Sequence, residues 1–265
     1  MHGAGNGFVL LDNSEAVLPP EEYAPLAKRL CSLENMDGMI LIMKAKDADC
    51  GMLFFNRDGS TGEMCGNGAR CLARYAVEHG LAPDPQHIRI RATAGIVPAR
   101  RIDPERYEIR LNDPSVVDLH RAVTVNGHSY DCFYTELGNP GIPHAVLFLS
   151  RPFTGNLPSL RELGRSLRYA GTFPRGANVT FVRLTGDSSA EAITYERGVE
   201  DFTLACGTGC GASAAAMVLL GKTDSDTVQI SMPGGLLSVS LHKTGSTVSD
   251  LFLTGPTAFV GTGRI

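Results

Sequence analysis

Two cysteines of the chain, Cys65 and Cys206, lie in closely similar sequence contexts. Each is followed at once by a glycine-rich run, CGNG in the first case and CGTG in the second, and then by alanine-rich sequence with apolar residues at helical spacing. This order predicts that each thiol lies at the N-terminus of a helix, where unpaired N–H groups and the helix dipole favour negative charge. Such a position binds a carboxylate and lowers the pKa of a cysteine.

The matched surroundings of the two thiols narrow the chemistry. A Cys–His hydrolase needs one nucleophile, and thiol redox enzymes usually place their cysteines close in sequence or in unlike contexts. A zinc site would need more Cys or His at short spacing, and neither phosphate-loop nor dinucleotide glycine patterns occur. Inverting a carbon stereocentre by proton transfer, in contrast, needs one acid–base group for each face of the carbon. A thiol and a thiolate near neutral pKa suit that task, with helix N-termini to hold the substrate carboxylate and the charge that develops.

The elements around the cysteines are also duplicated. A strand, a glycine turn and a second strand are predicted after each helix, at Ile88–Val97 and at Val228–Val239. We therefore expect a mixed α/β (α+β) chain of two similar domains. If the two domains pack face to face, the two thiols reach one cleft.

The turn at Asn112-Asp113-Pro114 is the predicted domain boundary. Residues 1–113 would form the half that carries Cys65, and residues 114–251 the half that carries Cys206. The C-terminal tail, from about 252 to 265, is expected to pack back on the first half.

Further elements are predicted from local patterns. The N-terminal segment His2–Gly7 reads as a glycine-rich turn followed by a short strand, and Pro20–Cys31 as a helix with a break at Pro25 left open. Strands are expected at Met39–Met43 and Gly51–Asn56. A Gly/Pro loop is expected to end at His144, with a strand behind it.

The composition excludes several classes of protein. With 43% hydrophobic and 20% charged residues over 265 positions, the chain has the balance of an ordinary globular protein. A net charge of −4 without a basic stripe argues against nucleic acid as a partner. No apolar run reaches membrane-spanning length and no signal peptide is evident, so we expect a cytoplasmic protein without a membrane partner. An odd number of cysteines, seven, favours reduced thiols, and those other than Cys65 and Cys206 are expected to be small buried residues.

Five segments resemble the diaminopimelate epimerase family, in its order and at similar separations: MHGAGN at the start, FNRDGSTGEMCGNGAR, RGANVTFV, YERG and ACGTG. The resemblance covers essentially the whole chain. It implies a fold of two pseudo-symmetric α/β domains that acts on an amino acid without pyridoxal phosphate, another cofactor or a metal, and it implies a homodimer. The implied reaction interconverts LL- and meso-diaminopimelate for lysine and peptidoglycan synthesis.

The resemblance also implies roles for individual residues. Cys65 and Cys206 would be the acid–base pair, and Glu196 and His144 would poise the thiols or the α-ammonium group. Backbone N–H groups would hold the reacting carboxylate, and other side chains the distal end of the substrate. The implied substrate-binding residues are Asn6, Asn56, Gly66, Asn67, Asn139, Asn178, Arg197, Gly207 and Thr208.

Two departures from the family pattern concern the substrate. Gly7 replaces the acid that follows Asn6 in the family, and the usual GNPH segment is lengthened to GNPGIPH over 138–144. Either Asn139 keeps its binding role or Ile142 occupies that position. A racemase of another amino acid, such as histidine, therefore stays open, as does a non-catalytic amino-acid-binding protein of the same fold.

Overall fold

In the computed structural model of the chain, the described residues are 1–62 and 64–263. Glu63, within the first cysteine motif, lies outside them, as do Arg264 and Ile265. The chain divides into two compact units, Met1–Arg110 with Thr254–Ile265, and Leu111–Leu253. The first division therefore follows Arg110, close to the predicted boundary after Asp113. No helix in the described part of the chain is long and apolar enough to cross a bilayer.

The helices are α1 (Tyr23–Leu33), preceded by a 3-10 turn at Pro20–Glu22, α2 (Gly66–Glu78), α3 (Leu157–Arg168) and α4 (Gly207–Leu219). The strands are β1 (His2–Gly3), β2 (Asn6–Asp12), β3 (Gly38–Met43), β4 (Cys50–Asn56), β5 (Thr61–Gly62), β6 (Ile88–Ala92), β7 (Gly95–Arg101), β8 (Arg106–Arg110), β9 (Pro114–Val125), β10 (His128–Gly138), β11 (Gly141–Phe148), β12 (Asn178–Gly186), β13 (Ser189–Tyr195), β14 (Thr227–Met232), β15 (Gly235–Thr244) and β16 (Thr247–Ala258).

In the first unit, the sheet closes around helix α2. The strand order is β1-β2-β3-β4-β6-β7-β8, followed by the end of β16, which also pairs with β1. Helix α2 packs against strands all around this ring. Its residues Arg70, Cys71, Leu72 and Ala73 are fully buried, as expected for a helix that is enclosed on every side.

Helix α1 covers the outer surface of the first unit. Its apolar residues form a core cluster with alternate residues of β3 and with Phe55 of β4. Pro25 lies inside α1 without interrupting it. In the first turn a proline removes an N–H group that has no intrahelical acceptor, so its cost there is small.

In the second unit, helix α4 packs against strands β10 to β15. The sheet has the order β15-β14-β13-β12-β11-β10-β9, with β16 next to β15. Nearly every residue of α4 is buried, and most are Gly, Ala or Ser. Such small side chains let the strands approach the helix closely. Helix α3 lies on the other side of the sheet, over a core that includes Leu160, Leu167 and Phe181.

The predicted helices and most predicted strands are confirmed, and two local predictions are wrong. The segment His2–Gly7 is not a simple turn, because β1 and β2 form a hairpin in which Gly3 pairs with Asn6. The expected loop before His144 is also wrong, since β11 begins at Gly141 and runs through His144. Pairing with β10 from Gly141 onward, joined by β12 from His144 onward, satisfies the backbone of a stretch whose Gly and Pro content suggests irregular structure.

Candidate active site

Cys65 is the N-cap residue of α2, as predicted. Its backbone is extended (φ −128°, ψ 117°), and its carbonyl accepts the first helical hydrogen bond from Ala69 at 2.8 Å. The chain then turns directly into the helix, and Gly68 packs against β3 so closely that a Cβ there would lie 2.8 Å from Cδ1 of Ile40. The thiol is thus held where the N–H groups of the first turn of α2 point outward.

Asn67 and Asn6 are brought together beside this helix start. The Asn67 Nδ2 donates to Oδ1 of Asn6 at 3.3 Å, and Nη2 of the buried Arg70 donates to Oδ1 of Asn67 at 2.8 Å. Asn6 is therefore joined to the first turn of α2, although it lies on β2. Asn56 is exposed at the end of β4, where its Nδ2 donates to Oγ of Ser60 at 3.0 Å, so it caps its own turn.

Cys206 occupies the same position on α4. It is the N-cap residue with an extended backbone (φ −117°, ψ 105°), and its carbonyl accepts from Cys210 at 2.9 Å. Its sulfur accepts a hydrogen bond from the Gly209 N–H at 3.4 Å and lies 3.6 Å from Oγ1 of Thr208. Cys206 is 6% exposed. The local geometry predicted for the two cysteines is therefore the same in each unit.

The predicted lowering of the thiol pKa is wrong for Cys206. Burial raises its pKa well above the usual value, and the carboxylate of Glu196 raises it further. The hydrogen bonds from Thr208 and Gly209 act in the opposite direction but are weaker than these effects. The helix N-terminus does favour the thiolate, but the free-energy cost of removing the charged sulfur from water is larger than this stabilisation.

Glu196 and Arg197 follow β13, and their side chains contact different residues. The Glu196 Oε1 accepts a hydrogen bond from Oγ1 of Thr203 at 2.5 Å, and its charge acts on Cys206. Arg197 is exposed, and its Nη1 donates to the carbonyl of Arg175 at 3.3 Å. Within the described residues no carboxylate forms an ion pair with Arg197. Partial burial, followed by the charges of Arg168 and Arg175, lowers its pKa.

Asn178 holds two backbone segments of this half-site together. Its Nδ2 donates to the carbonyl of Pro143 at 3.2 Å, and its Oδ1 accepts from the N–H of Arg197 at 2.8 Å. Asn178 is 6% exposed. It therefore fixes the turn that carries Arg197 to the strand that carries His144, and this bridging contact was not foreseen from the sequence.

His144 is fully buried on β11, between Thr135 and Asn178 on the neighbouring strands. Burial, with a smaller contribution from Arg197, lowers its pKa to about 3. Neither ring nitrogen has a hydrogen-bond partner among the described residues. Its imidazole is therefore neutral at physiological pH, and any influence on the thiol comes from a neutral ring.

Asn139 lies at the tip of the β10–β11 hairpin and is exposed. Strand β11 begins at Gly141, and His144 lies three residues further along it, roughly 10 Å from the turn at the usual rise per residue. Ile142, the other candidate for this position, pairs with Leu137 inside the hairpin. The structure therefore keeps Asn139 apart from the residues that surround His144.

Comparison with known proteins places these half-sites in a family. The family model for diaminopimelate epimerase matches residues 1–113 and 137–260. A diaminopimelate epimerase of Hydrogenobaculum sp. is 36% identical over 276 residues, which cover 99% of this chain and 96% of the relative. The diaminopimelate epimerase of Methanocella arvoryzae is 35% identical over 280 residues, covering 100% of this chain and 95% of the relative.

Solved structures share the fold at lower identity. A phenazine biosynthesis protein of Bacillus anthracis aligns with a TM-score of 0.70 at 15% identity, over 97% of this chain and 92% of that one. A probable proline racemase of Agrobacterium radiobacter aligns with a TM-score of 0.66 at 19% identity, over 86% and 75% of the two chains. The fold, the two cysteine-capped helices and the full-length relatives agree: the chain belongs to the diaminopimelate epimerase family.

Proposed function

We propose that the protein is a diaminopimelate epimerase, which interconverts the LL and meso forms through two thiols and without a cofactor. The observation that carries the proposal is the repeated helix start, in which a cysteine caps a helix that begins with glycine in each unit. Each thiol serves one face of the α-carbon. The full-length relatives that carry this name support the choice of substrate.

The protonation of Cys206 assigns the resting roles. Because burial and Glu196 raise its pKa, this thiol carries its proton at neutral pH. It is the proton donor in the direction in which Cys65 removes the α-proton. In the reverse direction Cys206 must lose its proton. The charge of the Glu196 carboxylate acts on that thiol and therefore influences this deprotonation.

The helix starts bind the reacting end of the substrate. The first-turn N–H groups of α2, at Gly66 and Asn67, and of α4, at Gly207 and Thr208, offer donors to the α-carboxylate. The same donors stabilise the charge that spreads into the carboxylate when the α-proton leaves. This arrangement supplies positive potential without a charged side chain or a metal.

The guanidinium of Arg197 favours a substrate that carries a second carboxylate. Its guanidinium forms no ion pair with a carboxylate of the described residues, whereas neighbouring Arg168 and Arg175 pair with Glu200 and Glu136. A planar guanidinium binds a carboxylate through two parallel hydrogen bonds. The distal end of diaminopimelate provides such a group, and the imidazole of histidine does not.

Gly7 does not argue against this substrate. Successive side chains of a strand point to opposite faces, so position 7 faces away from Asn6. A Cβ on Gly7 would lie 2.8 Å from Sδ of Met36, which packs with the α1 cluster. An acid at this position would point toward the outer helix rather than toward the helix start that Asn6 contacts.

The test is ¹H NMR of the purified protein with LL-diaminopimelate in D₂O, following the α-proton signal. We expect loss of this signal as solvent deuterium enters, with chiral chromatography showing the meso form. L-histidine and a mixed amino-acid panel are run alongside. Loss from another amino acid only would replace the substrate, and no loss from any of them would favour the non-catalytic binding protein.

We also propose that the protein works in the cytoplasm and as a homodimer. A reducing compartment keeps both thiols available for proton transfer. Size-exclusion chromatography with light scattering tests the dimer, and a monomeric mass at assay concentration would refute it.

A further inference from the structure

The carboxylate of Asp37 contacts the segment that carries Asn6. Its Oδ2 accepts two hydrogen bonds, from Nδ2 of Asn6 at 2.7 Å and from the backbone N–H of Gly7 at 2.7 Å. The backbone N–H of Asp37 donates in turn to the carbonyl of Gly7 at 2.8 Å. Asp37 lies immediately before β3, so this contact clamps the start of β2 onto the neighbouring strand.

This contact begins a hydrogen-bond relay that runs from Asp37 through Asn6 and Asn67 to Arg70, inside the first unit. Asn6 donates to Asp37 and accepts from Asn67, which itself accepts from the fully buried Arg70. An amide has one donor end and one acceptor end, so each contact in the series fixes the direction of the next. The negative charge of Asp37 at one end and the positive charge of Arg70 at the other favour a single orientation of both amides.

Asn6 has binding capacity left once these contacts are made. Its Nδ2 carries two hydrogens and its Oδ1 two lone pairs, and the relay uses one of each. The remaining hydrogen and lone pair keep fixed directions beside the helix start that Cys65 caps. A flipped amide would exchange a donor for an acceptor toward the substrate.

We propose that Asp37 is a positioning residue for the epimerase reaction, acting through Asn6. It holds the Asn6 amide with its nitrogen toward Asp37 and its oxygen toward Asn67, so that substrate meets one hydrogen-bonding pattern. The proposal rests on the proposed function, because Asn6 matters to turnover only if the substrate binds beside α2.

The test is a double-mutant cycle with Asp37→Ala, Asn6→Ala and the double variant, assayed by α-proton exchange of diaminopimelate. Loss of a charge-assisted hydrogen bond predicts that Asp37→Ala lowers kcat/KM about tenfold, mainly through KM. Because Asp37 acts through Asn6, the double variant should be no worse than Asn6→Ala alone. Asp37→Asn keeps one acceptor oxygen and should recover part of the loss.

Asp84→Ala is the matched control. Asp84 is also exposed and also accepts one backbone N–H, from Gln86 at 2.9 Å, and one side-chain contact, with Nδ1 of His87 at 2.8 Å. This variant should keep the wild-type kcat/KM. Additive losses in the double-mutant cycle, or full activity in Asp37→Ala, would overturn the positioning role.

A second measurement does not depend on turnover. In ¹⁵N–¹H spectra, the two hydrogens of the Asn6 amide, assigned from their disappearance in Asn6→Ala, should be widely separated because one bonds a carboxylate. The separation should collapse in Asp37→Ala and persist in Asp84→Ala. If wild-type protein shows no exchange with diaminopimelate, the proposed function fails, and the amide signals still decide whether Asp37 orients Asn6. An Asn6 signal that Asp37→Ala leaves unchanged would overturn the inference.

Discussion

Replacing Gly209 by alanine tests whether the Cys206 thiol depends on close packing at the start of α4. A Cβ at this position would lie 2.7 Å from Oγ1 of Thr194 and 3.2 Å from both Cβ and Sγ of Cys206. Ordinary contact needs about 3.5 Å or more, so the atoms must separate by roughly 0.8 Å. Thr194 is fully buried, and its Oγ1 is hydrogen-bonded to Oγ1 of Thr180 at 3.0 Å, so its side chain has little freedom to move.

The two consequences of this substitution differ in size. Overpacking a core costs about 1–3 kcal/mol, while alanine in place of glycine contributes about 1 kcal/mol of helix propensity. The free energy of unfolding should therefore fall by about 2 kcal/mol at most. A displacement approaching 1 Å at a reacting group can lower the rate about 100-fold, and helix propensity does not restore the position of the thiol. We expect a large loss of kcat with a modest loss of stability.

The assay compares α-proton exchange of diaminopimelate in D₂O with urea unfolding followed by circular dichroism. Gly171→Ala is the control, because a Cβ there meets nothing within 4 Å. Adding Thr194→Ala to Gly209→Ala removes the atom that clashes and should return most of the lost kcat. Wild-type kcat in Gly209→Ala, or no recovery in the double variant, would refute the packing argument.

The remaining predictions concern the charges and thiols of the two half-sites. Cys65→Ala and Cys206→Ala should each reduce epimerisation by at least about 100-fold, since each face of the carbon needs its own acid–base group; full turnover by either would contradict the two-thiol mechanism. Arg197→Met should raise KM for diaminopimelate at least about tenfold with a smaller change in kcat, and an unchanged KM would remove Arg197 from the distal site. Because the pKa of Cys206 is raised, its alkylation rate in a Cys65→Ala background should keep rising with pH beyond about 8.5, the usual pKa of a cysteine. Glu196→Gln removes a negative charge beside that thiol, so the profile should move to lower pH, and an unshifted profile would show that Glu196 does not act on Cys206.

Much of the fold follows from local signals. The helix starts at Cys65 and Cys206 were predictable because glycine-rich turns and 3.6-residue periodicity depend on neighbours in sequence. The strands β3 and β4 are confirmed for the same reason, since apolar runs of that length mark buried strands. The family was also predictable, because its motifs span the chain in order, and the comparisons confirm it.

Features that depend on contacts between distant segments could not be predicted from the sequence. The stretch before His144 carries Gly and Pro and suggests a loop, yet pairing with β10 makes Gly141–Pro143 the start of a strand. The contact of Asp37 with Asn6 joins residues far apart in sequence, and no local pattern marks it. The roles of Asn139 and of the other predicted binding residues stay predictions, although the hairpin sets Asn139 apart from His144.

The sequence by itself determined which groups stand at each helix start, because residue type and turn chemistry are local. Only the tertiary structure decided the protonation states of the titratable groups around them. Cys206 keeps its proton because the surrounding strands exclude water from its sulfur, and burial outweighs the favourable field of the helix N-terminus. His144 is neutral for the same reason. Desolvation depends on everything packed around a group, and a linear pattern does not contain that information.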